Sequence, residues 1–104
     1  MRKNINIKTI QNDSETPISV RKMAKIITQN GVYIGRNDLF DWLRERGLCE
    51  KRGGSNLPTD YAKSLGLMKA EPIIKNDIKF PTTMITDKGQ SYILQEFLKE
   101  KIAE

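Results

Sequence analysis

YIGRNDLFDWLRERGL, residues 33–48, is the stretch whose reading decides the fold. Gly35 loosens the start of a helix, and Gly47 supplies the left-handed residue that ends one. Between them Leu39, Phe40, Trp42 and Leu43 recur at helical spacing and define one buried face. Asn37, Asp38, Asp41, Arg44 and Glu45 fall on the other side. The single tryptophan of the chain sits here. A short, apolar-backed helix with a polar outer face, preceded by another short helix, is how helix-turn-helix proteins present a recognition helix. An ordinary amphipathic helix of a small domain has the same spacing, and spacing alone does not choose between the two.

Upstream, Pro17-Ile18-Ser19 opens a first helix with Ser19 as N-cap. Val20, Met23, Ala24, Ile26 and Ile27 form its buried stripe, Arg21, Lys22 and Lys25 its wet side, and Asn30-Gly31 its stop. Residues 1–16 are polar from Gln11 to Thr16 and are expected to form a flexible arm ahead of a single domain at 17–104. Downstream, Leu48 to Arg52 suits a short strand and Gly53-Gly54-Ser55-Asn56 a loop. Leu57 to Gly66 reads as a turn or two of helix, with Pro58 near its start. Leu67–Lys75 and Ile78–Thr86 look like the strands of a hairpin around Asn76-Asp77, a wing. Pro72 and Pro81 then belong at edge positions or strand breaks. Thr86 caps a long closing helix whose stripe is Tyr92, Ile93, Phe97 and Ile102. The expected core joins Ile26, Ile27, Phe40, Leu43, Ile93 and Phe97. The expected class is α+β: a helix-turn-helix or winged-helix-like domain with a short β-hairpin and a long C-terminal helix.

Composition narrows the chemistry. With 104 residues, 38% hydrophobic and 30% charged, the chain suits one globular domain. No apolar run is long enough to span a membrane, and the Met-Arg-Lys start lacks the apolar segment of a secretory signal. The lone Cys49 excludes an internal disulfide and suits a reducing cytosol, so a cytoplasmic location is expected. The absence of histidine removes the commonest general base and metal ligand. Gly53-Gly54 lacks the Lys-Ser or Lys-Thr of a phosphate loop. A non-enzyme is expected, without metal, cofactor or small-molecule substrate.

Charge is uneven. Residues 1–52 carry 11 Lys+Arg against 6 Asp+Glu, residues 53–104 carry 7 against 7, and all six arginines lie in the first half. A basic patch on the helical half points to nucleic acid, although a merely solvated basic surface has the same composition. On duplex DNA, Arg21, Lys22, Lys25 and Arg52 would contact phosphates, and Lys75 at the hairpin tip the adjoining backbone. Asp38, Asp41 and Glu45 temper the exposed face that carries Arg44, although Asp41 and Arg44 can pair at i,i+3. Such an acidic tinge suits a protein partner at least as well as DNA.

Three segments carry a family resemblance: IGRNDLFDWLRERGL, LPTDYAKSLGLMKAE and TTMITDKGQSYI. Together they resemble the C-terminal domain of phage antirepressors, the KilA-C type, over roughly Ile18 to Leu98. Its most specific parts are Gly35-Arg36-Asn37 running into Leu39-Phe40 and Leu43-Arg44, and Thr86 with Lys88-Gly89-Gln90 and Tyr92-Ile93. Tyr61 to Leu65 departs from the pattern. In that family the domain usually follows a separate N-terminal module, so an excised domain or a stand-alone relative is expected. The resemblance implies a DNA-binding domain of proteins that relieve repression of lytic genes in the bacterial host. It also implies that Arg36, Asn37 and Arg44 lie on the recognition helix. The alternative is a protein-interaction module that binds a phage repressor, or a second copy as a homo-oligomer, through Asp38, Asp41 and Glu45.

Overall fold

Ser19 starts the first helix as its side chain predicts, its Oγ accepting from the Lys22 amide at 3.1 Å. The computed structural model describes residues 17–103, so the arm expected at 1–16 lies outside the described residues. A two-residue strand β1 (Ile18–Ser19) leads directly into α1 (Val20–Gln29). That helix stops at Asn30, whose amide turns back to the Ile26 and Ile27 carbonyls, and at Gly31 with φ +103°. Thr28 steadies the six-residue connection to α2, since its hydroxyl oxygen accepts from the Ile34 amide at 3.2 Å.

The opening stretch forms α2 (Arg36–Glu45). Gly47 at φ +75° ends it, with the Gly47 amide on the Arg44 carbonyl at 3.0 Å and the Leu48 amide on Leu43 at 2.8 Å. This is the Schellman closure that a left-handed residue permits. Leu39, Trp42 and Leu43 are buried, as the spacing predicts, whereas Phe40 and Ile26 are only half-buried at the margin of the core.

The middle of the chain departs from its reading. Strand β2 (Cys49–Arg52) turns through Gly53 and Gly54, at φ +56° and +85°, into a second strand β3 (Ser55–Pro58). Ser55-Asn56 is therefore strand rather than loop, paired to Arg52 and Lys51, and Leu57-Pro58 ends a strand rather than beginning a helix. Two adjacent positive-φ glycines make the two-residue turn that matches strand twist. The helix α3 is only Asp60–Ser64, capped by Thr59, whose hydroxyl accepts from the Ala62 amide and donates to the Gly47 carbonyl at 2.7 Å. That bond ties the start of α3 to the end of α2.

The expected hairpin is present as β4 (Met68–Lys75) and β5 (Ile78–Ile85), turning at Asn76 and Asp77 with φ +52° and +65°. Pro72 and Pro81 face each other within an unbroken register, so neither breaks its strand. β1 adds to the far side of β5 at Ile85 and Met84, giving the order β1-β5-β4.

Thr86 caps the closing helix α4 (Asp87–Ala103), accepting from the Gly89 amide at 3.0 Å while its hydroxyl donates between the Gly66 carbonyl at 2.6 Å and the Leu67 carbonyl at 3.0 Å. α4 locks onto α2. Trp42 stacks edge-on against Phe97, with centroids 5.4 Å apart, and its indole N–H donates to Glu100 at 2.9 Å. Arg46 covers the other side of the indole at 4.6 Å and bonds Glu100 at 2.5 Å. Those two donors hold the Glu100 carboxyl below the usual carboxylate range, with the Arg46 hydrogen bond the larger cause. Met23, Ile27, Leu39, Leu43, Leu48, Met68, Ile85 and Ile93 fill the centre with almost no exposure. The fold is α+β, with antiparallel strands and a long C-terminal helix. Among the described residues no helix is long and apolar enough to cross a membrane.

Candidate nucleic-acid interface

Arg21 and Lys25 lie one turn apart on the outer stripe of α1, and Arg36 and Asn37 are the first two residues of α2. The connection at 30–35 reverses the chain so that these four residues meet. Two adjoining depressions result. One, of about 380 Å³, lies between the starts of α1 and α2 and the β3–β5 seam, lined by Ser19, Arg21, Arg36, Asn37, Phe40 and Asn56 among others. The second, of about 530 Å³, is bounded by Arg21, Ala24, Lys25, Gly35, Arg36, Asn37 and Asp38. Arg21, Arg36 and Asn37 line both.

The helix starts add to the charge. Amide groups of a first turn point along the axis with partial positive charge. Ser19 satisfies one of them in α1, but Gly35 has no side chain to do so in α2. Among the described residues, the first turn of α2 therefore has no N-cap side chain on its amides, beside Arg36 and Asn37.

Pairing sorts the cations. Arg44 lies across α2 between Asp41, which it bonds, and the Asn56 side-chain oxygen at 2.5 Å, so it ties α2 to β3. Arg46 is held by Glu96 and Glu100, and Arg52 by Glu50 at 2.5 Å. Arg21, Lys22, Lys25 and Arg36 make no side-chain hydrogen bond or ion pair among the described residues. Lys22 is exposed on α1 but lines neither depression, and Lys75 stands at the hairpin tip, also outside them. Of the eight cationic or amide residues expected at a DNA surface, the structure gathers Arg21, Lys25, Arg36 and Asn37, leaves Lys22 and Lys75 separate, and engages Arg44 and Arg52 internally.

The acidic residues fall elsewhere. Asp38, Asp41 and Glu45 border a third depression, of about 350 Å³, together with Tyr33, Trp42, Phe97 and Lys101. Tyr33 is 85% exposed there. Only Asp38 also touches the cationic side. Residues that sequence reasoning missed are Phe40, Asn56 and Thr82, which wall the first depression. The Gly-Gly turn is the signal that pairs Asn56 into a strand, but no local pattern shows which strand it then meets. Among the described residues, no cluster of three or more His, Cys, Asp or Glu suits a metal ion.

The site is thus an α+β domain's pair of cationic helix starts, converging on two adjoining depressions. The chain belongs to the family described as the phage antirepressor protein KilAC domain, which it matches over residues 9–100. Comparison with curated proteins and with solved structures finds no match.

Proposed function

We propose that this antirepressor domain binds duplex DNA as a winged-helix-like module, with the first turn of α2 in the major groove. The observation that carries the reading is the meeting of Arg21, Lys25, Arg36 and Asn37 around two depressions, with no internal partner for any of the three cations among the described residues. Exposed cations with no internal partner are free to meet phosphates, which also suit a helix start. The strand order also supports it: β1, just ahead of the two helices, closes onto the second strand of a following hairpin, as the sheet of a winged helix does.

In this reading Arg21 and Lys25 hold phosphates and set the register, and Arg36 and Asn37 reach base edges. Arginine matches the two acceptors of guanine, and asparagine the acceptor and donor of adenine. Arg44 positions α2 through its bond to Asn56 rather than touching DNA. Binding of this kind would serve relief of repression in the host cytoplasm. Titration of random and sequence-selected duplexes at two salt concentrations tests it. Log K should fall by about 0.9 for each phosphate neutralised per decade of salt. Arg21→Gln with Lys25→Gln should flatten that slope, and Arg36→Ala should relax preference at one or two base pairs, costing about 1–3 kcal/mol. Absence of binding to any duplex at low salt overturns the reading.

The separate acidic depression favours a second reading, in which a phage repressor's basic surface docks on Asp38, Asp41 and Glu45. The triple variant Asp38→Asn, Asp41→Asn, Glu45→Gln decides between them. Unchanged or tighter DNA binding supports the first, and lost repressor binding in a normally melting protein supports the second.

A further inference from the structure

The β4–β5 hairpin breaks the rule that the solvent face of an antiparallel sheet is polar. Side chains alternate, so Met68, Thr83 and Ile85, all buried, mark the core side. The opposite face carries Glu71, Ile73 and Lys75 on β4, directly across from Thr82, Phe80 and Ile78 on β5. Ile73, Phe80 and Ile78 are contiguous there, at 41%, 43% and 55% exposure. A contiguous apolar patch of large side chains marks a contact surface, whereas scattered single ones do not.

The edges of the hairpin are blunted against strand addition. The closing pair Lys75–Ile78 of a two-residue turn is hydrogen-bonded, and pairs alternate from there, so Pro72–Pro81 is a non-bonded pair. Its two backbone nitrogens point outward, to the free edge of β4 and to the side of β5 beyond β1. A proline at each place removes the donor that an incoming strand requires. The occupant therefore packs on the face.

The pattern on that face is self-complementary. Ile73–Phe80 lies at its centre, Glu71 two residues toward the body and Lys75 two residues toward the tip. A twofold axis through the centre exchanges the two ends, laying Lys75 of each copy over Glu71 of the other. The match is to the same face of a second chain, as an isologous interface demands. Glu71 already holds Lys69 at 2.9 Å, so it is fixed in place to receive the second cation.

We propose that the solvent face of the β4–β5 hairpin is a homodimer interface, with Ile73 and Phe80 stacked on their counterparts, Ile78 laid over Thr82 of the other copy, and reciprocal Lys75–Glu71 pairs at its ends. Lys75 then serves the dimer rather than a DNA backbone, and the proposal stands whether or not the cleft binds DNA. Sedimentation equilibrium of the full chain without DNA tests it. The wild type should run at twice the 11.9 kDa of one chain. Phe80→Asp should return the mass to that of one chain, with the melting temperature extrapolated to low concentration unchanged because the ring is outside the core. Glu71→Lys and Lys75→Glu should each weaken the dimer by about tenfold, through like charges brought together. The double swap should restore it to within about threefold of wild type. A wild type that stays monomeric at every concentration overturns the proposal, as does a dimer that survives Phe80→Asp. Failure of the double swap to restore the dimer, or a patch needed only for binding DNA or another protein, does so equally.

Discussion

Gly89→Ala should destabilise the domain strongly, although helix propensity alone predicts the reverse. Gly89 lies in the first turn of α4, and alanine is favoured over glycine inside helices by about 0.8–1.0 kcal/mol. Here a Cβ on Gly89 would sit 2.0 Å from the Leu67 carbonyl oxygen and 2.9 Å from Ile85 Cγ2. A comfortable C···O contact is about 3.3 Å, so the backbone at Leu67 has to retreat by about 1.3 Å. That carbonyl accepts from both the Thr86 amide and the Thr86 hydroxyl, each at 3.0 Å, and those bonds set the angle at which α4 leaves the sheet. Overpacking costs about 1–3 kcal/mol and each strained bond about 0.5–1.5 kcal/mol, so the net loss centres on about 3 kcal/mol. For a domain of this size the melting temperature falls by about 10–25 °C. Thermal unfolding followed by circular dichroism measures it, with Gly35→Ala as a control, since a Cβ there meets nothing within 4 Å. A Gly89→Ala protein that melts at or above the wild type refutes the close-approach reasoning.

The α2–α4 lock separates into ring and donor. Trp42→Ala should cost about 3–5 kcal/mol, whereas Trp42→Phe, which keeps most of the ring and loses the N–H to Glu100, should cost about 1 kcal/mol; equal losses in denaturant titrations would place the whole effect in the hydrogen bond. Because Arg46 and Trp42 lower the Glu100 pKa in the folded state, its contribution is present above the unfolded carboxylate value of about 4.3 and fades as pH falls through the lower folded value. The melting temperatures of wild type and Glu100→Gln should therefore differ at pH 7 and converge in acid, and a gap that persists in acid contradicts this assignment. Burial pushes the Cys49 thiol up to about 11, so a thiol reagent at pH 8 should label it slowly in the native protein and promptly in denaturant. Prompt native labelling would place the sulfur outside the core.

Local signals determined the elements that are local. Ser19, Thr86 and Gly47 each act within about one turn of themselves, so capping chemistry read along the chain located the end of α2 and the starts of α1 and α4. The Asn76-Asp77 turn likewise pins the β4–β5 hairpin, since its strands are neighbours in sequence. The Gly53-Gly54 turn is equally local: a Gly-Gly-Ser-Asn run suits a loop by composition, but two consecutive left-handed residues close a hairpin. The cations Arg21 and Arg36 were both legible as basic residues, but their meeting was not. It depends on how the connection at 30–35 folds α1 back on α2. The division of arginines was legible only in part: the Asp41–Arg44 pair at i,i+3 was readable, whereas partners from other elements were not. Arg44, Arg46 and Arg52 have the same chemistry as Arg21 and Arg36, yet Asn56, Glu96 and Glu100 reach two of them from distant elements, and Glu50 the third from two residues away. Gly89 shows the same limit, because only the packing of α4 on the Leu67 carbonyl makes that position intolerant of a Cβ. Residue types and helical periods are properties of the chain, whereas partners across the fold exist only once distant elements have packed.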